Sequence, residues 1–201
     1  MFKLDSAFVR FLNLIADIFI LHVLWFIHSI PIITIGASTT ALYYSMMKRI
    51  DNDRGSIFSN FRSSFKSNFK QSTILWLIEI VAIIVLVIDF RFCLLLTSNA
   101  RNIFMTLYMV VLIPVCFILI YLFPIQSKFE NNIKTTIKNA FIMSILNLHY
   151  TIVLFLIPVV FLVICFFFPP FITILFIMGF GIYAYISSLL FTKIFKKYIT
   201  E

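Results

Sequence analysis

Between positions 72 and 92 the chain reads STILWLIEIVAIIVLVIDFRF, in which Glu79, Asp89 and Arg91 are the only charged residues. A helix needs about 20 predominantly apolar residues to cross the hydrocarbon core of a bilayer. The run is long enough for this, and few of its residues carry charge. We therefore predict that Ser72–Phe92 is a transmembrane helix.

Comparable apolar runs recur on both sides of this one. Four of them also have the length of a membrane span: Phe11–Ile30, Asn102–Ile125, Ala140–Phe168 and Phe171–Thr192. A further segment, Ile32–Met47, follows Pro31 and is short for a full crossing. Because it is rich in small residues, we expect it to pack inside the bundle, as a short crossing helix or a re-entrant one. The sequence thus predicts an all-α fold, a polytopic bundle of about six hydrophobic segments in one domain, residues 1–201.

The composition supports this prediction. Apolar residues make up 62% of the chain and charged residues 12%, whereas soluble domains average about 45–50% and about 25%. Cys93, Cys116 and Cys165 lie singly in apolar runs, so we expect packing rather than metal or disulfide chemistry. The run Phe11–Ile30 is longer than the apolar region of a signal peptide, which predicts a retained helix.

The basic residues predict the orientation, because lysine and arginine concentrate in cytoplasmic loops. If all six segments cross and the N-terminus is cytoplasmic, Arg91 and Arg101 are the only basic residues outside. If Ile32–Met47 does not cross, the N-terminus moves outside and takes Lys3 and Arg10 with it. Both arrangements place two basic loops in the cytoplasm, Lys48–Gln71, which includes Arg54, and Gln126–Asn139. They also place the tail there, with Lys193, Lys196 and Lys197. Since the positive charge follows the membrane flanks, we expect a lipid bilayer rather than nucleic acid as partner.

Residues 56–71 form a second pattern, an amphipathic helix with an aromatic and a basic side. Its members recur at spacings of three and four: Phe61, Phe65 and Phe69 on one face, and Arg62, Lys66 and Lys70 on the next. One interpretation is an interfacial anchor that precedes the next span. The other is a docking surface for a cytoplasmic partner.

Charged groups are rare inside spans because they cost about 2.5–3.5 kcal/mol at the bilayer centre on insertion scales. Asp17, Glu79 and His149 all fall in the predicted cytoplasmic halves of their spans. We hypothesise that at least two of them meet inside the bundle. Such a polar cluster serves as a structural contact, a proton or ion path, or an acid–base pair.

The segment from Leu21 to Tyr44 reads LHVLWFIHSIPIITIGASTTALYY and resembles the YesL family of small bacterial integral membrane proteins, a domain of unknown function. The matching residues are Trp25, Pro31, Thr34, Gly36, Ala37, Thr40, Ala41, Leu42, Tyr43 and Tyr44. His22 stands where the family often has asparagine. The resemblance implies a Gram-positive source and an association with carbohydrate ABC transporters. From the residues themselves, we expect Tyr43 and Tyr44 to lie at a membrane interface.

Catalytic signatures such as HExxH, GxSxG and a phosphate loop do not occur in the sequence. We therefore expect a protein that is not an enzyme and has no catalytic residues, metal or cofactor. The first hypothesis is a membrane accessory protein of a carbohydrate uptake system, in contact with ABC transporter or sensor subunits. The alternatives are a small transporter or channel and an intramembrane enzyme.

Overall fold

A computed structural model describes residues 7–51 and 55–199. These residues form helices and no strand: α1 Ala7–His28, α2 Ile35–Ile50, α3 Ile57–Leu95, α4 Ser98–Lys128, α5 Ile133–Leu146, α6 Leu148–Phe167 and α7 Phe171–Ile199. A 3₁₀ turn, Ile32–Thr34, leads into α2, and a π-helical turn, Leu175–Gly179, interrupts α7. Lys3 and Arg54, two of the predicted cytoplasmic charges, lie outside the described residues.

Within the described part of the chain, α1, α3, α4, α6 and α7 are long and apolar enough to cross a membrane. The prediction of a helical membrane bundle with five long spans is confirmed. Helix α2 is the short segment of the prediction. At about 1.5 Å per residue its 16 residues extend about 24 Å, less than the roughly 30 Å of a hydrocarbon core.

Several predicted boundaries differ from the observed ones. Helix α3 runs without a break through the amphipathic segment and the span, so the predicted helix at 56–71 is the first part of a 39-residue helix. The connection between the predicted spans Ser72–Phe92 and Asn102–Ile125 shrinks to Leu96 and Thr97, because both flanking helices extend into it. The segment Ala140–Phe168 is divided at Asn147, whose side-chain Nδ2 donates to the Met143 carbonyl and to the Tyr198 hydroxyl.

Burial divides the bundle into two zones. Helix α2 is packed between α1, α3, α4 and α7, and it is buried over most of its length. The core around it includes Phe61 from the start of α3, Tyr121 from the end of α4 and Phe191 from the end of α7. Apolar side chains are instead exposed on the C-terminal half of α3, on the N-terminal half of α4 and on most of α6. Such an apolar surface is unfavourable in water and suggests contact with a lipid bilayer.

Candidate functional site

The connection between α1 and α2 is closed by side chains. Ile30 precedes Pro31, which disfavours a helical conformation at Ile30 and ends α1. The Thr34 hydroxyl lies 2.5 Å from the His28 carbonyl oxygen and 2.7 Å from that of Pro31. It thereby provides a hydrogen-bond donor at the end of α1, where the last carbonyl groups have no partner within the helix. The Trp76 indole donates to the Ile32 carbonyl at 2.8 Å. The broken segment is therefore held by hydrogen bonds from its own threonine and from α3.

Helix α2 approaches α3 most closely at Gly36. A Cβ atom at this position would overlap the Ser72 carbonyl oxygen and lie 2.7 Å from the Trp76 Cβ. One turn later, the hydroxyls of Thr40 and Ser72 are 2.8 Å apart, and Thr40 also donates to the Gly36 carbonyl. Ala37 and Ala41 are fully buried beside them. The small residues of α2 thus bring two helix backbones together, as predicted from their size.

The aromatic residues of the matching segment join α1 and α2 to α7. Trp25 donates to Thr39 at 3.1 Å and stacks on Phe180 with ring centroids 4.0 Å apart. The Ser187 hydroxyl donates to the Tyr43 hydroxyl at 3.2 Å. The expectation of an interfacial Tyr43 is wrong, because this side chain is buried at the α2–α7 contact. Tyr44 remains half-buried, with the Lys48 ammonium 5.2 Å from its ring.

His22 contacts α7 with both ring nitrogens, one at the π-helical turn and one just after it. Its Nδ1 accepts from the Gly181 backbone N–H at 3.3 Å, and its Nε2 lies 3.2 Å from the Phe176 carbonyl oxygen. An asparagine side chain also offers one acceptor and a donor, so histidine preserves the hydrogen-bonding chemistry of that amide. Gly181 packs against Ile18 and His22, whereas Gly179 faces Leu175 of its own helix.

A cavity of about 320 Å³ opens where these elements meet. Six aromatic side chains line it: Trp25, Tyr43, Trp76, Phe123, Phe180 and Tyr183. The other lining residues are Ile35, Thr39, Glu79, Leu119, Ile120 and Pro124. Among the described residues that line it, Glu79 alone is charged. We call this space the Glu79 cavity.

The structure does not bring the three predicted polar residues together. Asp17 forms an ion pair with Arg49, with Oδ2 and Nε 2.5 Å apart. Glu79 lines the cavity, and its buried Oε2 has no hydrogen-bond partner within the described residues. His149 is exposed on α6 and packs beside the Tyr150 ring. The three groups therefore have separate neighbours: Arg49 for Asp17, the cavity lining for Glu79 and Tyr150 for His149.

The aromatic and basic sides of the first part of α3 differ in exposure. Phe61 is buried and Phe65 is half-buried, and their ring centroids lie 5.2 and 5.0 Å from that of His28. Phe69 is 41% exposed. Arg62, Lys66 and Lys70 are all exposed. The basic side is therefore the accessible surface of this segment, while two of its phenylalanines belong to the bundle.

A polar cavity of about 620 Å³ lies between this part of α3 and the α4–α5 connection. The Gln126 amide donates to the Asn68 side chain, and its oxygen accepts from Thr136. The Gln71 amide contacts the Asn131 carbonyl. These amides link α3, α4 and α5, so they have a clear structural role. Among the described residues, no three histidine, cysteine or acidic side chains are arranged to hold a metal ion.

The sequence analysis did not identify Trp76, Phe180 or Tyr183 as candidate site residues. Trp76 precedes Glu79 by three positions, and Phe180 precedes Tyr183 by three, so each pair shares a helix face. An aromatic residue one turn before an intramembrane acid is the one local signal that points to this cavity. The contribution of α7 depends on the tertiary fold.

Residues 18–90 match a protein family model. Its description is "Protein of unknown function, DUF624". The match runs from α1 into the span of α3 and includes the α1–α2 connection, Trp76 and Glu79. It agrees, at the level of a family of unknown function, with the resemblance seen in Leu21–Tyr44. No curated protein and no solved structure matches the chain.

Proposed function

We propose that the protein is a non-enzymatic integral membrane protein of the YesL type that assembles with membrane subunits of a carbohydrate uptake system. The observation that supports an accessory role is the filled centre of the bundle. Ala37, Ala41 and Leu42 of α2 have no exposed surface. A core packed in this way opposes a continuous water path. The link to carbohydrate uptake comes from the resemblance to the YesL family.

Two surfaces suit a partner in the membrane. The first is the exposed apolar surface on the C-terminal half of α3, the N-terminal half of α4 and most of α6, which can contact lipid or the helices of another subunit. The exposed side chains of Arg62, Lys66 and Lys70 offer positive charge at the end of the bundle where the core lies. Charges on a rim mainly accelerate and orient association. We propose that a transporter or sensor subunit contacts the basic side of α3.

Affinity purification of the tagged full chain from its native membrane tests this proposal. We expect transporter or sensor subunits to co-purify, and we expect the triple substitution of Arg62, Lys66 and Lys70 by glutamine to reduce their recovery. Lys134→Gln with Lys138→Gln is the control, because these lysines are exposed on α5 instead. Purification without any such subunit would contradict the proposal.

A small transporter or channel is the second candidate, and the Glu79 cavity is the observation that favours it. An acidic side chain beside an open space is typical of substrate and ion pathways in membranes. Proteoliposomes that contain this chain alone distinguish the two functions. An accessory protein leaves the flux of sugars and cations at the level of empty liposomes, whereas a transporter raises it and loses the increase on Glu79→Gln.

A further inference from the structure

We propose that the Glu79 cavity binds an organic cation, an amine or quaternary ammonium group with a small apolar body. The inference goes beyond both candidate functions and depends on neither. It rests on three features of one space: its size, its aromatic lining and the presence in that lining of Glu79, whose buried Oε2 has no hydrogen-bond partner among the described residues.

The aromatic side chains that line the cavity are suited to binding a cation. The faces of tryptophan, tyrosine and phenylalanine attract positive charge, and aromatic cages are the usual sites for quaternary ammonium groups. The Glu79 cavity has six aromatic side chains in its lining, including Trp25, Trp76 and Tyr43. Several of them are fixed by other contacts: Trp25 by Thr39 and Phe180, Trp76 by Ile32, and Tyr43 by Ser187. A preformed cage of this kind loses little entropy on binding.

The carboxylate supplies the opposite charge. The buried Oε2 of Glu79 has no hydrogen-bond partner among the described residues, and neither lysine nor arginine lines the cavity. Asp17, the acid of α1, is already paired with Arg49. A buried charge without a partner is costly, so the ionised form of Glu79 would gain most from a cation that binds beside it. A cationic ligand would provide this partner.

The size limits the ligand. A volume of about 320 Å³ lies at the lower end of the range for small-molecule sites, which is about 300–1,000 Å³. It suits a headgroup or a small amine rather than a whole lipid or a sugar chain. The shared chemistry is an alkylammonium group, and its source is either a lipid headgroup or a free amine.

Tryptophan fluorescence can report directly on this site, because the chain has two tryptophans and both line the cavity. We would titrate the purified full chain, in a detergent without a cationic headgroup, with benzyltrimethylammonium. Neopentylbenzene, in which a carbon replaces the nitrogen, is the neutral control. We expect saturable quenching or a spectral shift, with at least about tenfold tighter binding of the cation than of its neutral isostere.

Glu79→Gln tests the role of the carboxylate, since it keeps the shape and removes the charge. We expect it to reduce the preference for the cation to about twofold or less. Asp89→Asn is the matched control, because Asp89 is another acid of α3 and lies outside the cavity. It should retain the preference. Both variants should elute as monodisperse protein with the thermal stability of the parent.

Nanodiscs separate the two sources of the cation. If phosphatidylethanolamine or phosphatidylcholine in the disc weakens binding of the free probe relative to phosphatidylglycerol alone, a lipid headgroup occupies the site. If lipid composition has no effect, the site takes a free amine. Both results support the proposal. Equal binding of the cation and the neutral isostere, unchanged preference in Glu79→Gln, or no saturable signal would overturn it.

Discussion

At the scale of single residues, Gly36 sets the distance between α2 and α3. Any side chain at this position would meet the Ser72 carbonyl and the Trp76 Cβ, which are rigid parts of the neighbouring helix. Neither atom can rotate away as the end of a flexible side chain would. The close approach in turn allows the Thr40–Ser72 hydrogen bond and helps to place Trp76 beside the cavity.

We expect Gly36→Ala to destabilise the bundle by about 1–3 kcal/mol, the usual cost of overpacking. Reversible unfolding in mixed micelles, followed by far-UV circular dichroism, would measure this change. Gly55→Ala is the control, because a Cβ there would meet side-chain atoms of Asn60, which can move. If the two variants were equally stable, Gly36 would not be a point of close packing.

The packing role of the α2 residues could be predicted from the sequence, whereas the residues that line the Glu79 cavity could not. Gly36, Ala37 and Ala41 are small in any environment, so close packing follows from their size alone. Tyr43 was predicted at an interface because tyrosine prefers that location, but its partner Ser187 is contributed by α7. The neighbours of Glu79 likewise come from α1, α2, α4 and α7. Contacts between segments distant in sequence cannot be found from one chain's local pattern.

At the scale of elements, an ion pair joins the end of α2 to α1. Arg49 and Asp17 are partly shielded, with side-chain exposures of 31% and 20%. Lys128 and Asp51 form a longer pair of 3.5 Å, between α4 and the residue that follows α2, with side-chain exposures of 32% and 34%. The Asp17–Arg49 pair should be the stronger one, because its charged atoms are closer and its carboxylate is less exposed to water.

A double-mutant cycle with Asp17→Asn and Arg49→Gln would test this difference. We expect a coupling energy of about 1–2 kcal/mol, between the values typical of exposed and buried pairs. The same cycle with Asp51→Asn and Lys128→Gln should give about 0.5 kcal/mol or less. Free energies of unfolding in micelles provide both numbers. Equal coupling in the two cycles would mean that the Asp17–Arg49 pair is not shielded in the membrane.

The two parts of helix α3 could be predicted from the sequence, but their continuity could not. Hydropathy located its span, and the spacing of phenylalanines and basic residues located its amphipathic part. Neither pattern indicates whether the two parts join, because a change from polar to apolar residues marks a change of solvent and not the end of a helix. No proline or glycine occurs in Ile57–Leu95, so the backbone continues through that change.

At the scale of the whole molecule, basic residues from distant parts of the sequence meet at one end. Arg10 and Arg49 line the same cavity, and Asp51 contacts both Lys128 and Lys196. One end of the bundle therefore carries the start of α1, the first and second basic loops and the tail. The sequence predicted the number of spans and the separation of charge, whereas the packed core at this basic end follows from tertiary contacts.

Because basic loops stay in the cytoplasm, we propose that this end, with both termini, is cytoplasmic. Single cysteines in a chain whose Cys93, Cys116 and Cys165 are replaced by alanine would test the orientation. An impermeant maleimide should label Thr97→Cys in intact cells, and Phe8→Cys and Gly55→Cys only after permeabilisation. The cysteine-free chain gives the background. Labelling of Phe8→Cys from outside, with Gly55→Cys still protected, would instead show that α1 and α2 together cross the membrane once.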